Sequence, residues 1–302
     1  MTKVMIVGTG NVGASLGYCL VNQQTPVNEL VLTDIMKEDA EGEALDLQDA
    51  LAVSPADLKV HAGGYEQAGD ADIIVITAGV PQKPGETRMQ LLEKNASIFK
   101  DMVGEIIKSG FSGIFIVVSN PMDVMTYLTW KYSGFDSARV LGSGTVLDSA
   151  RLRQQIAKKL SVDPKSVHAY QVGEHGDSGF ALWSTATVGG ERVTNLIPYD
   201  DQQKLEDYAR REAYEIINRK GATFYGIGAC VTEIISAILS DKHKVLPVSS
   251  YDDFTGVYNG FPAIVGKSGV ERRLNIPMTE EEGIKFQKSV NALKSAISEL
   301  PL

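Results

Sequence analysis

The chain has few of the residues that build cross-linked or metal-stapled folds, with two cysteines and four histidines in 302 residues. Cys19 and Cys230 lie far apart in apolar helical patterns, with no CxxC pair and no Cys/His pairing at metal spacing. That excludes a disulfide miniprotein, makes a metal site unexpected, and reads as core thiols in a reducing compartment. Eleven prolines are too few for a long disordered tract. No stretch approaches the roughly 20 apolar residues of a membrane span. Met-Thr-Lys runs directly into Val4, Met5, Ile6 and Val7, too short for an export signal, so a cytoplasmic location is expected. Basic residues are also short, 29 Lys plus Arg against 38 Asp plus Glu, for a net charge of −9. Such a surface repels nucleic acid phosphates and anionic lipid, which argues against both as partners.

What remains is an ordinary globular composition, 43% hydrophobic and 22% charged, long enough for one large α/β domain or two smaller ones sharing a crevice. In the first half, Val4 to Val7, Leu30 to Leu32, Ile73 to Thr77 and Ile114 to Ser119 are continuous apolar runs rich in Val and Ile, as in strands buried on both faces. Helix-period stretches, including Arg88 to Lys108 and Pro121 to Lys131, alternate with them. Repeated βαβ order predicts a doubly wound parallel sheet. After about residue 145 the rhythm changes to a helix over Leu147 to Leu160, short strand-like pieces from Val167 to Val193, and long amphipathic helices. A second, α+β domain is expected over 146–302, after a first over 1–145. Leu205, Tyr208, Ala209, Ala213 and Ile216 fall on one helical face, as do Phe286, Val290, Leu293 and Ile297. Thr279 followed by Glu282 is a capping box.

Gly8-Thr9-Gly10-Asn11-Val12-Gly13 follows the first strand and opens the first helix, whose N-terminal dipole and free N–H groups suit a pyrophosphate. A GxGxxG alone is a weak signal. Here Asp34 ends the second strand 21 residues after Gly13, where a carboxylate accepts ribose hydroxyls and repels a 2′-phosphate. A Rossmann domain taking NAD rather than NADP is the expectation, against a plain structural turn with a surface Asp.

His175 sits in the polar loop Gly173-Glu174-His175-Gly176-Asp177, where a lone histidine is ordinarily just solvated. Asp148 and Arg151, three apart on a helix, share a face. They form either a surface pair or a device in which Asp148 orients the imidazole and Arg151 grips a substrate carboxylate. Thr77 to Arg88 follows the third apolar strand at the carboxyl edge of the sheet and contains Gly79 and Gly85, which reads as a lid. Arg88 would swing in with it to polarise a carbonyl.

Together with Ser119-Asn120-Pro121, these motifs resemble the lactate and malate dehydrogenase superfamily over essentially the whole chain. The resemblance implies an NAD-dependent L-2-hydroxy acid dehydrogenase with His175 as proton donor and acceptor, Asp148 as its partner, Arg151 as carboxylate clamp and Arg88 as carbonyl polariser. It implies that Asn120 meets substrate and nicotinamide ribose and that Thr223 lines the side-chain pocket. Thr77, Gly79 and Ser119 then join Gly8, Gly10, Asn11, Val12, Gly13 and Asp34 around NAD. In this family a lid Gln, here Gln82, accompanies lactate-type substrates, and an Arg accompanies malate. Pyruvate is thus favoured, in the setting of glycolysis and fermentation, with a 2-hydroxyisocaproate-type enzyme for bulkier 2-oxo acids as the alternative and malate dehydrogenase behind it. Arg153 and His168 match positions that bind fructose 1,6-bisphosphate in many bacterial relatives. The helix geometry agrees, since Arg153 lies about 200° around from Arg151 at ~100° per residue. A homo-oligomer, dimer or tetramer, is implied, without the N-terminal arm of vertebrate lactate dehydrogenases. A non-catalytic NAD sensor would have no reason to keep His175, Asp148, Arg151 and Arg88 together. A metal-dependent NAD glycosidase would need Cys and His ligands in a setting that neither cysteine has.

Overall fold

In the computed structural model, which describes residues 2–80 and 88–300, each apolar run of the first half is a strand. The first half runs β1 (Lys3–Val7), α1 (Asn11–Asn22), β2 (Glu29–Thr33), α2 (Lys37–Leu51), β3 (Lys59–Ala62), β4 (Ile73–Ile76), α3 (Arg88–Lys108), β5 (Ile114–Val117), α4 (Met122–Ser133) and β6 (Val140–Gly142). The second half continues with α5 (Val146–Leu160), β7 (Val167–His168), β8 (Gln171–Val172), β9 (Phe180–Ala181), β10 (Thr187–Val188), β11 (Glu191–Arg192), α6 (Val193–Leu196), α7 (Tyr199–Lys220) and α8 (Tyr225–Leu239). It ends with β12 (Lys244–Leu246), β13 (Ser249–Asp252), β14 (Val257–Gly260), β15 (Ala263–Gly266), β16 (Gly269–Arg273) and α9 (Glu280–Ser298).

Six parallel strands stand in the order β3-β2-β1-β4-β5-β6. The strand order reverses between β1 and β4, the crevice where open α/β sheets bind ligands. Along β1, Val4 and Ile6 face one core, shared with Leu16 and Leu20 of α1 and Ile234 and Ile235 of α8. Met5 and Val7 face the other, with Phe99 and Val103 of α3, Met125 of α4 and Val290 of α9. Two helices from the second half therefore cover the sheet built by the first.

The sheet departs from the all-parallel expectation. β13 pairs antiparallel with β6 and carries β14, so the second half extends the same sheet. These two strands are polar in sequence (Ser249, Ser250, Asn259) yet buried. Most of their polar atoms find partners: Ser249 Oγ donates to Asp123, and Arg273 donates to Ser250 Oγ and Asn259 Oδ1, while Asn259 Nδ2 is buried with no partner among the described residues. Satisfied polar groups can take core positions that an apolar pattern does not mark.

On α7 the buried stripe is also rotated from the expected face. Ala209 is buried, whereas Tyr208 is 51% exposed, and Gln202 and Glu206 are buried instead. Gln202 donates to the Ile197 carbonyl at 2.7 Å and Glu206 accepts from Trp183 Nε1 at 2.8 Å, so partners offset the desolvation of both. Val290 and Leu293 of α9 are buried as the spacing predicts, with Phe286 and Ile297 packed partly against the same core. Cys230 is buried and Cys19 half-buried, both as free thiols. Among the described residues, no helix is long and apolar enough to cross a membrane.

The start of α9 is a full capping box: Glu282 N donates to Thr279 Oγ1 at 3.3 Å, and Thr279 N donates to Glu282 Oε2 at 2.9 Å. Glu282 also accepts from Ser184 N at 3.0 Å, tying the helix to the turn after β9. Thr279→Ala should cost about 1 kcal/mol and lower Tm by a few degrees, and Thr279→Ser should restore it. Equal melting curves for wild type and the Ala variant would contradict this.

Candidate active site

The glycine loop leaves β1 at the sheet's switch point. Gly8 has φ +101, and a Cβ there would sit 2.6 Å from Ala78 N; one on Gly13 would sit 1.9 Å from the Gly8 carbonyl oxygen. These two glycines are required by their surroundings. Above Gly10, by contrast, no atom lies within 4 Å of where a Cβ would be, and Gly10 caps α1 without a side-chain hydrogen bond. The first turn of α1 thus presents backbone donors beside open space, which fits a dinucleotide pyrophosphate. Thr77 Oγ1 donates to the Gly8 carbonyl at 2.6 Å and Ser119 Oγ to the Ala78 carbonyl at 2.5 Å, holding the loops after β1, β4 and β5 together. Asp34, one residue past β2, accepts from Thr9 N at 2.7 Å and Met36 N at 3.1 Å. Those bonds fix its carboxylate beside the glycine loop with lone pairs left for ribose hydroxyls.

The cluster of His175, Asp148 and Arg151 is assembled from the second half. The start of α5 is stitched to β8: Thr145 Oγ1 donates to the Gln171 carbonyl at 2.5 Å, and Gln171 N donates to Ser149 Oγ at 2.9 Å. β8 leads directly into the Gly173–Asp177 loop, so this seam sets Asp148 opposite His175. Asp148 Oδ2 lies 2.6 Å from His175 Nδ1, and its Oδ1 lies 3.5 Å from Arg151 NH1. Arg151 is 6% exposed, and among the described residues its guanidinium makes that one long hydrogen bond. A buried fork with unused donors is an anion site. The three groups His175 (protonated), Asp148 and Arg151 together carry one net positive charge, which suits a small monoanion.

The Asp148 carboxylate, outweighing the penalty of burial, pushes His175 up to about 9. Burial alone would raise Asp148, but the His175 and Arg151 charges outweigh it and hold the carboxyl below its ordinary range. With Nδ1 on Asp148, Nε2 is the nitrogen left to meet a substrate. The side chain is 27% exposed, so it is reachable.

The other residues expected to form the site fall on several elements. Asn120 is exposed just past β5, before Pro121 at the start of α4. Thr223 is half-buried in the turn between α7 and α8. Arg153 is half-buried on α5, and His168 is exposed on β7 opposite Thr187; no hydrogen bond joins the two. Gln82 and the lid around it lie outside the described residues, as does the side chain of Arg88, whose backbone opens α3. The sequence reading missed three supports. Asn95 of α3, 2% exposed, accepts from Val80 N at 3.1 Å where the lid begins. Ser289 of α9 accepts from Glu174 N at 2.6 Å, and Asp123 of α4 accepts from His175 N at 2.8 Å. Asn95 and Ser289 are small polar residues in helical patterns and carry no sequence signal, whereas Asp123 stands out as a lone charge in the apolar run Met122 to Leu128.

The switch-point glycine loop and the buried carboxylate–imidazole pair fit an oxidoreductase of the dinucleotide-binding kind. The chain matches the lactate/malate dehydrogenase NAD-binding domain over residues 2–142 and the lactate/malate dehydrogenase α/β C-terminal domain over 145–300, and it belongs to that family. It is 46% identical to L-lactate dehydrogenase 1 of Bacillus cereus over 308 aligned positions, covering 99% of this chain and 98% of the relative. L-lactate dehydrogenase 2 of Bacillus anthracis is likewise 46% identical over the same shares. Among solved structures, the minor L-lactate dehydrogenase of Enterococcus mundtii in its ligand-bound form superposes with TM-score 0.96 at 47% identity, covering 100% of this chain and 99% of that one. MGS-M5, a lactate dehydrogenase from a Medee basin deep-sea metagenome, superposes with TM-score 0.97 at 45% identity, over 99% of this chain and 98% of that one.

The His175 shift links catalysis to stability. The ordinary imidazole value is 6.5 and the folded one about 9, so the folded chain binds this proton more tightly than the unfolded chain. The resulting stability is complete below pH 6.5 and is lost as pH rises through about 9. Wild-type Tm should therefore fall across that window, and His175→Gln should flatten the slope. An identical slope in the variant would show that other groups cause it.

Proposed function

We propose that this chain is an NAD-dependent L-lactate dehydrogenase that interconverts pyruvate and L-lactate, and the observation that carries the reading is the buried Asp148 carboxylate set between His175 and Arg151. Arg151 receives the substrate carboxylate on its unused N–H donors, turning the 2-oxo group toward His175. His175, protonated at neutral pH and oriented through Nδ1, delivers a proton from Nε2 to the carbonyl oxygen, and takes it back in lactate oxidation. Asp148 stabilises the imidazolium and fixes its tautomer without itself taking the proton. When bound, the dinucleotide supplies the hydride for the carbonyl carbon.

Gly8, Gly10, Asn11, Val12, Gly13 and Asp34 hold that dinucleotide, with Thr77, Gly79, Ser119 and Asn120 along the switch-point edge. Arg88 polarises the carbonyl, Asn120 hydrogen-bonds substrate, and Thr223 lines the pocket. Gln82 fits a substrate with one carboxylate, because a neutral amide leaves a second buried charge unpaired at several kcal/mol. The names of the relatives favour lactate over bulkier 2-hydroxy acids. The chain divides near residue 145 into an NAD-binding and a substrate domain, the division the change of rhythm supports. A homo-oligomer, dimer or tetramer, is supported by the large exposed side chains Tyr18, Leu45 and Tyr225. The free thiols Cys19 and Cys230 support a cytoplasmic location. Arg153 and His168 take fructose 1,6-bisphosphate as an effector. Arg153 is supported there by its place on α5 two residues from Arg151, turned away from the clamp. Superimposable pyruvate saturation curves with and without the bisphosphate would remove that assignment.

Pyruvate should consume NADH absorbance with the wild-type chain, and His175→Ala should slow it by on the order of 100-fold or more. Gln82→Arg should shift the kcat/KM ratio toward oxaloacetate by more than about tenfold. A wild-type chain inactive on pyruvate, or a ratio unmoved by Gln82→Arg, would count against the substrate assignment.

A further inference from the structure

The loop that carries His175 is fixed at three consecutive residues by three different elements. Gly173 exchanges both backbone hydrogen bonds with Gly260 of β14 at 2.8 Å, Glu174 N donates to Ser289 Oγ of α9 at 2.6 Å, and His175 N donates to Asp123 Oδ2 of α4 at 2.8 Å. Only the last anchor is an ionisable group. Asp123 is 3% exposed, and its Oδ1 accepts from Ser249 Oγ of β13 at 2.5 Å. Its neighbours Met122, Val124 and Met125 are core residues.

A buried carboxylate with two neutral donors is an expensive anchor, since such a charge costs several kcal/mol to desolvate. Burial pushes Asp123 up to about 6, with the Ser249 and His175 hydrogen bonds opposing. The group nevertheless stands in the first turn of α4, where the helix dipole favours an anion, and its field raises the proton affinity of His175 in addition to that of Asp148.

Resting on the lactate dehydrogenase reading, we propose that Asp123 is a positioning residue for His175: its carboxylate anchors the loop backbone at the acid/base group and supplies a second negative charge that favours the imidazolium. Because α4 begins directly after Asn120-Pro121, the same residue ties the substrate-binding Asn120 turn to the proton donor. The other charged groups facing the pair are Asp148 and Arg151 from α5, Glu174 in the loop and Arg273 from β16, the last also facing Asp252 of β13. Of these, Asp148 and Asp123 raise the proton affinity of His175, and Arg151 lowers it.

Anchoring and charge are separable. Asp123→Asn keeps an acceptor for His175 N and a partner for Ser249 but removes the charge, whereas Asp123→Ala removes both. The first readout is the pH dependence of His175 carbethoxylation, mapped by mass spectrometry, which reacts at the neutral imidazole and needs no substrate. The second is the pH profile of kcat/KM for pyruvate reduction at saturating NADH. Asp123→Asn should move the His175 midpoint, and the alkaline limb of the profile, to lower pH by about half a unit or more. Asp123→Ala should lower kcat by about tenfold or more with a smaller change in KM, and Asn should rescue most of that loss. Should one substitution fail to fold, the other carries the same reading of the His175 midpoint, since both remove the charge. A His175 midpoint unchanged in Asp123→Asn, or in Asp123→Ala where that variant is used, overturns the proposal. If the wild-type chain does not reduce pyruvate, the carbethoxylation titration still decides the role of Asp123, so the two readings fail separately.

Discussion

A carboxylate removed from water must be neutralised or must lose its charge, and Asp148 is neutralised from both sides. His175 lies 2.6 Å from one oxygen and Arg151 lies 3.5 Å from the other. This arrangement does three things at once. It keeps a buried anion ionised, raises the proton affinity of the imidazole, and leaves a second cation with spare donors. Removing Asp148 would leave two like charges facing a low-dielectric crevice. The rest of the site depends on that carboxylate being held in place.

The fold holds it there through seams rather than through one rigid domain. Thr145 and Ser149 sew the start of α5 to β8, and β8 delivers the histidine loop. β13 and β14 join the sheet of the first half, so the edge that carries the glycine loop and the strands that brace the histidine loop belong to one continuous structure. The helices α8 and α9 pack on the two faces of the sheet, against α1 and α4, and α9 brings Ser289 under Glu174. A crevice made this way keeps the glycine loop and the His175–Asp148 pair in fixed relation.

Much of this was legible in the sequence where the physics is local. Val4–Val7, Ile73–Ile76 and Ile114–Val117 announce buried strands by continuous apolarity, and Gly8 and Gly13 announce a turn that no Cβ fits. Asp148 and Arg151 share a face because a helix repeats every 3.6 residues. What stayed hidden depends on polar groups satisfied across long sequence separations. β13 and β14 contain Ser249, Ser250 and Asn259, whose burial depends on Asp123 and Arg273, far away in the chain. On α7 the buried face includes Gln202 and Glu206 because Ile197 and Trp183 supply their partners. Ser289 and Asn95 act through single hydrogen bonds to backbone amides, and no periodicity marks such a residue. The pairing of His175 with Asp148 was expected from resemblance, but its strength follows only from the burial that the fold imposes.

The cluster is thus organised electrostatically: the His175 imidazole is held protonated by a buried carboxylate. The most direct measurement is a 15N NMR titration of the histidines, with His175 assigned by its disappearance in His175→Gln. The account predicts a midpoint near 9 with Nδ1 remaining the protonated nitrogen above it, and a midpoint displaced to lower pH in Asp148→Asn. A midpoint at the ordinary 6.5 that Asp148→Asn leaves unmoved would contradict it.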